Sequence, residues 1–190
     1  MELTVRIKKR LHRFTLNADI ETKSSIALLG ASGSGKSMTL KCIAGIEKPD
    51  SGVIILNGRT LYDSEKGIDL PPQKRKIGYL FQNYALFPNM TVRQNIEVAA
   101  KEKNNVDKLI SDFYLNSIAN KYPDEISGGQ QQRTALARII ASKPEAILLD
   151  EPFSAIDSYL KWKLEMTVSD TIKNFGGLSI MVTHDRNEAY

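Results

Sequence analysis

The chain has 190 residues, of which 42% are hydrophobic and 25% charged, and this composition excludes a disordered or fibrous protein. The formal net charge is +4, and the basic residues form only short clusters, so charge by itself indicates no nucleic-acid surface. The single cysteine excludes an internal disulfide, and no apolar run reaches the ~20 residues that span a bilayer. The first residues do not have the pattern of a signal peptide. Together these features predict a cytoplasmic protein.

Strands and helices alternate along most of the chain, which predicts an α/β fold with a largely parallel sheet. The first two strands alternate with a period of two and are expected to form an antiparallel pair. The predicted strands are residues 3–7, 14–20, 25–29, 52–56, 77–81, 146–149 and 179–183, with Asn57 and Gly58 as a hairpin signal. The predicted helices are residues 38–44, 92–100, 106–115, a helix from about 128 toward Pro144, residues 160–175, and one that starts at Asp185.

A loop rich in Gly and Ser joins the third predicted strand to the first predicted helix. Its residues are Gly30, Ala31, Ser32, Gly33, Ser34, Gly35, Lys36 and Ser37, which match the phosphate-loop pattern G-x-x-x-x-G-K-[ST]. The glycines let backbone N–H groups turn toward phosphate oxygens, and the helix N-terminus favours anions. Lys36 is expected to contact the β- and γ-phosphates of a nucleotide, and the Ser37 hydroxyl to bind Mg²⁺.

Two acidic residues, Asp150 and Glu151, follow a predicted buried strand. In open α/β sheets the ligand binds at the carboxyl ends of the strands, so Asp150 is expected to face the phosphates and orient the Mg²⁺. Glu151 is the candidate general base that activates water for attack on the γ-phosphate. The structural alternative, a turn before Pro152, does not explain the combination with the phosphate loop.

A second candidate phosphate site lies at residues Ser127, Gly128, Gly129 and Gln130. Ser127 and Gln130 have the spacing of a capping box, which predicts a helix start. Each of the two glycines is less favourable in a helix than Ala by up to roughly 1 kcal/mol, which suggests that a backbone or an anion approaches closely. One chain cannot easily grip a γ-phosphate from both sides, so this helix start indicates a second subunit.

The order of these motifs resembles the nucleotide-binding domain of ABC (ATP-binding cassette) transporters. Residues 30–37 resemble the Walker A loop, 81–83 the Q-loop, 126–130 the LSGGQ signature, 146–151 the Walker B strand with its catalytic glutamate, 154–157 the D-loop and 183–185 the H-loop. The resemblance implies that Gln82 reaches the Mg²⁺ and the attacking water, and that His184 contacts the γ-phosphate. It also implies that Asp157 couples two ATP sites across a head-to-tail homodimer.

The resemblance implies one nucleotide-binding domain over residues 1–190. Its RecA-like P-loop core is expected at about residues 1–82 and 145–190, and a helical subdomain with the signature at about 83–144. The family continues beyond the helix after His184, so the chain is expected to be a truncated form that lacks the usual C-terminal strands. The family stacks adenine on an aromatic residue near the first strands, where this sequence places Leu11 or His12, while Phe14 is expected to point into the core.

Residues 83–92 resemble those of importers whose ATPase is a separate polypeptide, and Leu86, Phe87 and Pro88 could receive a helix of the transmembrane permease. A buried loop is the structural alternative.

The resemblance therefore implies the ATPase subunit of an importer for molybdate, sulfate or a similar anion. Such a subunit is expected to lie at the inner face of the cell membrane as a peripheral protein. It is expected to work indirectly with a solute-binding protein and to bind no nucleic acid. The alternatives are a soluble ABC-type ATPase acting on DNA or ribosomes and a small-molecule P-loop kinase. The segment between Gln82 and Ser127 is short, which argues against the soluble ABC-type ATPase. The signature segment argues against the kinase.

Overall fold

The computed structural model describes residues 1–12, 14–153 and 158–184, and for residues 158–165 and 167 it describes the backbone alone. The chain forms two compact units. The first comprises Met1–Ile77, Glu145–Asp150 and the described residues from Gly177 onward, and the second comprises Gly78–Pro144 and Glu151–Gly176. The predicted D-loop at residues 154–157 and the predicted helix from Asp185 lie outside the described residues.

The secondary structure follows the predicted alternation of strands and helices. The strands are β1 (Leu3–Arg10), β2 (Thr15–Thr22), β3 (Ile26–Leu29), β4 (Ser51–Leu56), β5 (Arg59–Asp63), β6 (Ile68–Asp69), β7 (Ile77–Leu80), β8 (Ala146–Asp150) and β9 (Leu178–Thr183). The helices are α1 (Lys36–Ala44), α2 (Pro72–Arg75), α3 (Val92–Glu97), α4 (Val106–Asp112), α5 (Gly128–Ala141) and α6 (Ser158–Phe175). Short 3-10 turns lie at Lys103–Asn105, Asn116–Ile118 and Pro123–Glu125.

The first unit contains an antiparallel sheet in the order β2-β1-β4-β5-β6. β1 and β2 pair along their whole length, with Leu3 opposite Thr22 and Arg10 opposite Thr15. β4 and β5 are joined by Asn57 and Gly58, whose φ angles of 51° and 76° suit a two-residue hairpin turn. The predicted antiparallel pair is therefore confirmed and is part of a larger, five-stranded sheet.

A parallel sheet in the same unit positions the expected site. β9 lies between β3 and β8 and runs parallel to both. Leu29 at the end of β3 pairs with Thr183 at the end of β9, and Asp150 at the end of β8 pairs with Val182. The phosphate loop, Asp150 and His184 thus start from one edge of this sheet, as the rule for open α/β folds predicts.

Helix α1 is fixed at both ends by the sequence around it. Gly35 precedes the helix with a left-handed backbone, and Gly45 ends it in the same conformation. The guanidinium of Arg75, which is fully buried, donates to the carbonyl oxygens of Cys42 and Ile43 at 2.8 and 2.9 Å. These carbonyls belong to the last turn of α1, where a cation is favourable for the helix dipole. The helix that begins in the phosphate loop is therefore anchored at its far end.

The second unit is mainly helical, and two of its helices start as their sequences predict. Thr91 caps α3 and Ser127 caps α5, each in a capping box closed by the Gln three residues later. The buried side chains of α3 and α5 include Ile96, Ala135 and Leu136. Within the described residues no helix combines the length and the apolar character that a membrane crossing requires.

The structure contains β5, β6 and α2, for which the sequence analysis gives no bounds, and it also differs from the predicted elements at helix ends. α1 begins at Lys36 rather than at residue 38, because the loop itself supplies the helix N-terminus. α3 ends at Glu97 rather than at residue 100, and α4 ends at Asp112 rather than at 115. Tyr114, just beyond α4, has a φ of 55°, a left-handed conformation that does not continue a helix. The α/β fold with antiparallel N-terminal strands and a parallel sheet is confirmed.

Candidate functional site

The phosphate loop has the backbone that its glycines predict. Gly33 and Gly35 have φ angles of 78° and 95°, which side-chain-bearing residues rarely adopt. The ammonium group of Lys36 lies inside the loop, where Nζ donates to the carbonyl oxygens of Gly30 at 2.6 Å and Ala31 at 2.8 Å. The positive charge is therefore held beside the backbone that is expected to surround the phosphates.

The phosphate loop and the end of β8 meet in one hydrogen bond. The Ser37 hydroxyl donates to Oδ1 of Asp150 at 2.7 Å, and Asp150 is only 8% exposed. A hydroxyl oxygen beside a carboxylate provides the hard oxygen ligands that Mg²⁺ prefers, usually together with phosphate oxygens and water. Two residues that are far apart in the sequence and were both predicted to hold the metal are thus brought into contact.

Phe14 does not lie in the core, so the prediction that it points inward is wrong. Its side chain is 40% exposed, because β2 begins only at Thr15 and its inward-facing positions start with Leu16. The Phe14 ring lies close to Gly35, where an added Cβ would come within 3.5 Å of Cζ. The Leu16 side chain would lie nearer still, at 2.8 Å. An exposed aromatic ring therefore lies beside the phosphate loop, while His12 is also exposed on the preceding turn.

The other predicted hydrolysis residues follow the ends of strands. His184 is exposed and comes directly after β9 in the first unit. Glu151 comes directly after β8, is half-buried, and has a φ of 46°, which is unusual for a residue with a side chain. Gln82 lies on an exposed turn two residues after the end of β7. The structure thus places each of them next to the strand that the sequence predicted.

The predicted signature segment forms the exposed start of α5. Ser127 N–H donates to Oε1 of Gln130 at 2.9 Å, and Gln130 N–H donates to the Ser127 hydroxyl at 3.4 Å. A Cβ added at Gly128 would meet nothing within 4 Å, and the backbone there does not have a left-handed φ. Packing among the described residues therefore does not explain why this position is glycine.

A loop at residues 83–90, most of whose residues are exposed, is held in place by two side chains that the sequence analysis missed. Arg138 on α5 donates to the carbonyl oxygens of Tyr84 at 3.0 Å and Ala85 at 2.8 Å. Asn95 on α3, which is fully buried, accepts from Phe87 N–H at 2.8 Å and donates to Phe87 O at 3.1 Å. Burial lowers the pKa of the Arg138 guanidinium from its usual value. The Phe87 side chain itself remains 46% exposed.

Gln132 makes a further contact that no local pattern predicts. It lies on α5 just beyond the signature residues and is fully buried, and its Nε2 donates to the carbonyl oxygen of Pro152 at 2.8 Å. Pro152 follows Glu151 in the chain. The helix with the signature is thus bonded to the segment that carries the predicted general base. The sequence gives no signal for this pair, because the bond joins residues of two distant segments.

Comparison with known proteins identifies the family. The family described as ABC transporter matches residues 14–154. The sulfate/thiosulfate import ATP-binding protein CysA of Synechocystis is 41% identical over 195 residues, which cover 96% of this chain and 53% of the relative. The Fe(3+) ions import ATP-binding protein FbpC 2 of Pectobacterium atrosepticum is 43% identical over 194 residues, which cover 97% of this chain and 56% of the relative.

A solved structure supports the same conclusion. The dimeric structure of MJ0796, a bacterial ABC transporter cassette, matches with a TM-score of 0.79 and 28% identity, covering 100% of this chain and 90% of that chain. The chain spans about half the length of the two import proteins that it matches. Because the family match includes the phosphate loop, the signature helix and the Asp150–Glu151 pair, the chain belongs to the ABC transporter family.

Proposed function

We propose that this chain binds MgATP at its phosphate loop and hydrolyses it to power an ABC importer. The observation that carries the proposal is the 2.7 Å bond between Ser37 and Asp150, beside the Lys36 ammonium in the same unit. This arrangement joins a positive charge for phosphates to a pair of oxygen ligands for Mg²⁺. Binding of a nucleoside triphosphate with Mg²⁺ requires both.

Each residue of the loop has a proposed role in binding. Lys36 exchanges its carbonyl partners for oxygens of the β- and γ-phosphates, and the backbone N–H groups of the loop donate to the remaining phosphate oxygens. Ser37, Asp150 and Gln82 are the residues that would hold Mg²⁺, which neutralises charge on the β- and γ-phosphates when bound. The proposed nucleotide contacts within the loop are Gly30, Ala31, Ser32, Gly33, Ser34, Gly35, Lys36 and Ser37.

Hydrolysis is assigned to residues that follow the strand ends. Glu151 accepts a proton from the water that attacks the γ-phosphate, and Gln82 helps to orient that water. His184 donates a hydrogen bond to the γ-phosphate and keeps the attack in line. These proposed roles rest on the family and on the position of each residue. Glu151 and His184 come directly after strands, and Gln82 lies on the turn that follows β7.

We also propose that the working ATPase is a head-to-tail homodimer. Gly128 has open space around it, so the absence of a side chain there is explained if a partner molecule approaches. Ser127, Gly128, Gly129 and Gln130 would then contact the ATP of the partner subunit through a helix N-terminus. The MJ0796 cassette, with 28% identity to this chain, has a dimeric structure, which supports this assembly.

The loop at residues 83–90 is the proposed contact with the permease. The Phe87 ring is exposed, while the backbone of its loop is hydrogen-bonded to side chains of α3 and α5. An exposed aromatic ring on a fixed backbone can serve as an apolar anchor for a partner protein. Binding there would place the chain at the inner face of the membrane, and a solute-binding protein would act through the permease alone. Sulfate or a related anion is the proposed solute, by analogy with the Synechocystis relative, and iron(III) is the competing assignment from the Pectobacterium relative.

Replacing Lys36 by Ala is expected to weaken MgATP binding by roughly tenfold or more, because hydrogen bonds from a charged group contribute about 1.5–3 kcal/mol. Isothermal titration calorimetry with MgATP measures the change. Lys41→Ala is the matched control, since Lys41 lies in the last turn of α1 and has no proposed contact with phosphate. Unchanged affinity in the Lys36 variant would contradict the phosphate-loop assignment and with it the proposed function.

Replacing Phe87 by Asp is expected to reduce uptake of labelled sulfate by roughly tenfold or more, because loss of a central aromatic anchor typically costs at least about 2 kcal/mol of binding. The variant should still bind MgATP with normal affinity. Uptake is measured in cells that contain the chain, its permease and labelled sulfate, with molybdate and iron(III) as competitors. Tyr114→Asp is the control, because Tyr114 is another exposed aromatic residue of the second unit, with 74% of its surface accessible against 46% for Phe87. Normal uptake by the Phe87 variant would show that the permease binds elsewhere.

A further inference from the structure

The Gln132 side chain links helix α5 to the segment that follows β8. It is 0% exposed, and its Nε2 donates to the Pro152 carbonyl oxygen at 2.8 Å. Ser127 lies at the start of the same helix, little more than one turn earlier. A single rigid element therefore carries both the signature residues and the amide that contacts Pro152.

Of the two polar groups of the Gln132 amide, only the donor has a hydrogen-bond partner among the described residues, and this indicates the role of the side chain. Its Oε1 is buried and has no hydrogen-bond partner among the described residues. A buried acceptor without a partner costs roughly 1–3 kcal/mol, so an apolar side chain such as Met would suit packing better. Rotating the amide would bring Oε1 against the Pro152 carbonyl oxygen, where two acceptors repel. The side chain is therefore oriented by its donor, whose acceptor among the described residues is the Pro152 carbonyl oxygen.

The recipient lies next to a strained residue. Glu151 has a φ of 46°, and a residue that precedes proline normally favours an extended backbone. A conformation of this kind persists only where the surroundings hold it, and it costs of order 1–3 kcal/mol. Pro152 has no N–H group, so its carbonyl oxygen is the one backbone group of this residue that can form a hydrogen bond and help to hold the turn. Pro152 and Phe153 are both buried, which leaves the Glu151 side chain as the more accessible part of the segment.

We propose that Gln132 is a positioning residue for Glu151 and makes the orientation of that carboxylate depend on helix α5. This inference rests on the proposed function, in which Glu151 is the general base and the start of α5 contacts the ATP of the partner subunit. A displacement of α5 caused by one nucleotide would then move Glu151, which serves the other nucleotide. Gln132 would thus connect the two ATP sites of the dimer through a contact inside each subunit.

Replacing Gln132 by Met tests the proposal, because Met has similar length and lacks the donor. We expect kcat for MgATP hydrolysis to fall about tenfold, the equivalent of losing one hydrogen bond of about 1.4 kcal/mol, while the Kd for MgATP stays within about twofold. Thr134→Val is the matched control, since it deletes a buried side-chain bond within the same helix, to the Gln130 carbonyl. The control should keep a normal kcat. Should the Met variant not fold, Gln132→Asn, which keeps the amide but cannot reach Pro152, is expected to show the same separation of kcat from Kd.

The decisive experiment combines Gln132→Met with Glu151→Gln and measures single-turnover hydrolysis. If Gln132 acts through Glu151, the double variant should have the same residual rate as Glu151→Gln alone. A further fall of about tenfold in the double variant, or a normal kcat in the single Gln132 variant, would overturn this inference and leave the proposed function intact. A wild-type chain without MgATPase activity would instead overturn both, and a Glu151→Gln variant with normal turnover would rule out Glu151 as the base and with it this inference.

Discussion

Replacing Glu151 by Gln is expected to lower the rate of MgATP hydrolysis by about 10²-fold or more, the usual scale of general-base catalysis. The amide keeps the shape and the hydrogen-bonding capacity of the side chain but cannot accept a proton from water. MgATP should therefore still bind with normal affinity, because the contacts of Lys36 and Ser37 are unchanged. Turnover is measured by phosphate release, and binding by calorimetry on the same preparation.

Glu145→Gln is the matched control for this experiment. Glu145 lies just before β8, at the opposite end of the strand from Asp150 and Glu151, and its carboxylate pairs with Lys76 at 2.9 Å and Arg59 at 3.6 Å. The bond from Lys76 lowers the pKa of Glu145, so its ionised form stabilises the folded chain at neutral pH and the variant should be less stable. Its turnover should be normal at a temperature where it is folded. Near-normal turnover in the Glu151 variant would rule out Glu151 as the base.

The parts of the structure that were predicted correctly depend on short stretches of sequence. The phosphate loop needs only a buried strand, glycines at set positions and a helix, and all of these lie within residues 25–44. The start of α5 depends on Ser127 and Gln130, whose capping box closes over three residues. Local steric and hydrogen-bonding preferences decide such features, so a single sequence contains the information.

The features that the sequence did not reveal arise where distant segments meet. Asn95 and Arg138 together bond the backbone of residues 84–87, but as isolated residues each resembles an ordinary polar position on a helix. Phe14 was misplaced because the alternation of β2 was extended one residue beyond the start of the strand. Alternation with a period of two predicts the face that a residue occupies only within a pleated strand. Phe14 lies in the turn before the strand begins at Thr15, so the alternation does not determine where its side chain points.

The other large expected effect concerns the second subunit. Replacing Gly129 by Asp places a bulky negative charge at the N-terminus of α5, where the γ-phosphate of the partner's ATP is expected to lie. We expect hydrolysis to fall to background, because repulsion between the carboxylate and the phosphate prevents the site from closing. Binding of MgATP to the single chain should be largely unchanged, since Lys36, Ser37 and Asp150 belong to the other unit. Full activity of Gly129→Asp at low protein concentration would contradict the composite site.

Mixing two variants at an MgATP concentration too low for either to hydrolyse ATP alone separates a composite site from a simple loss of folding. Gly129→Asp damages only the signature side of a site, and Lys36→Ala damages only the phosphate-loop side. In a head-to-tail dimer formed from one of each, one site contains both lesions and the other contains neither. Some hydrolysis should therefore return in the mixture, while each variant alone remains inactive at the same total concentration. A dimer in which each chain completed its own site could not recover activity in this way, because every site would contain one lesion. Recovery that increases with the fraction of mixed dimer would show that Gly129 of one chain and Lys36 of the other act on the same ATP.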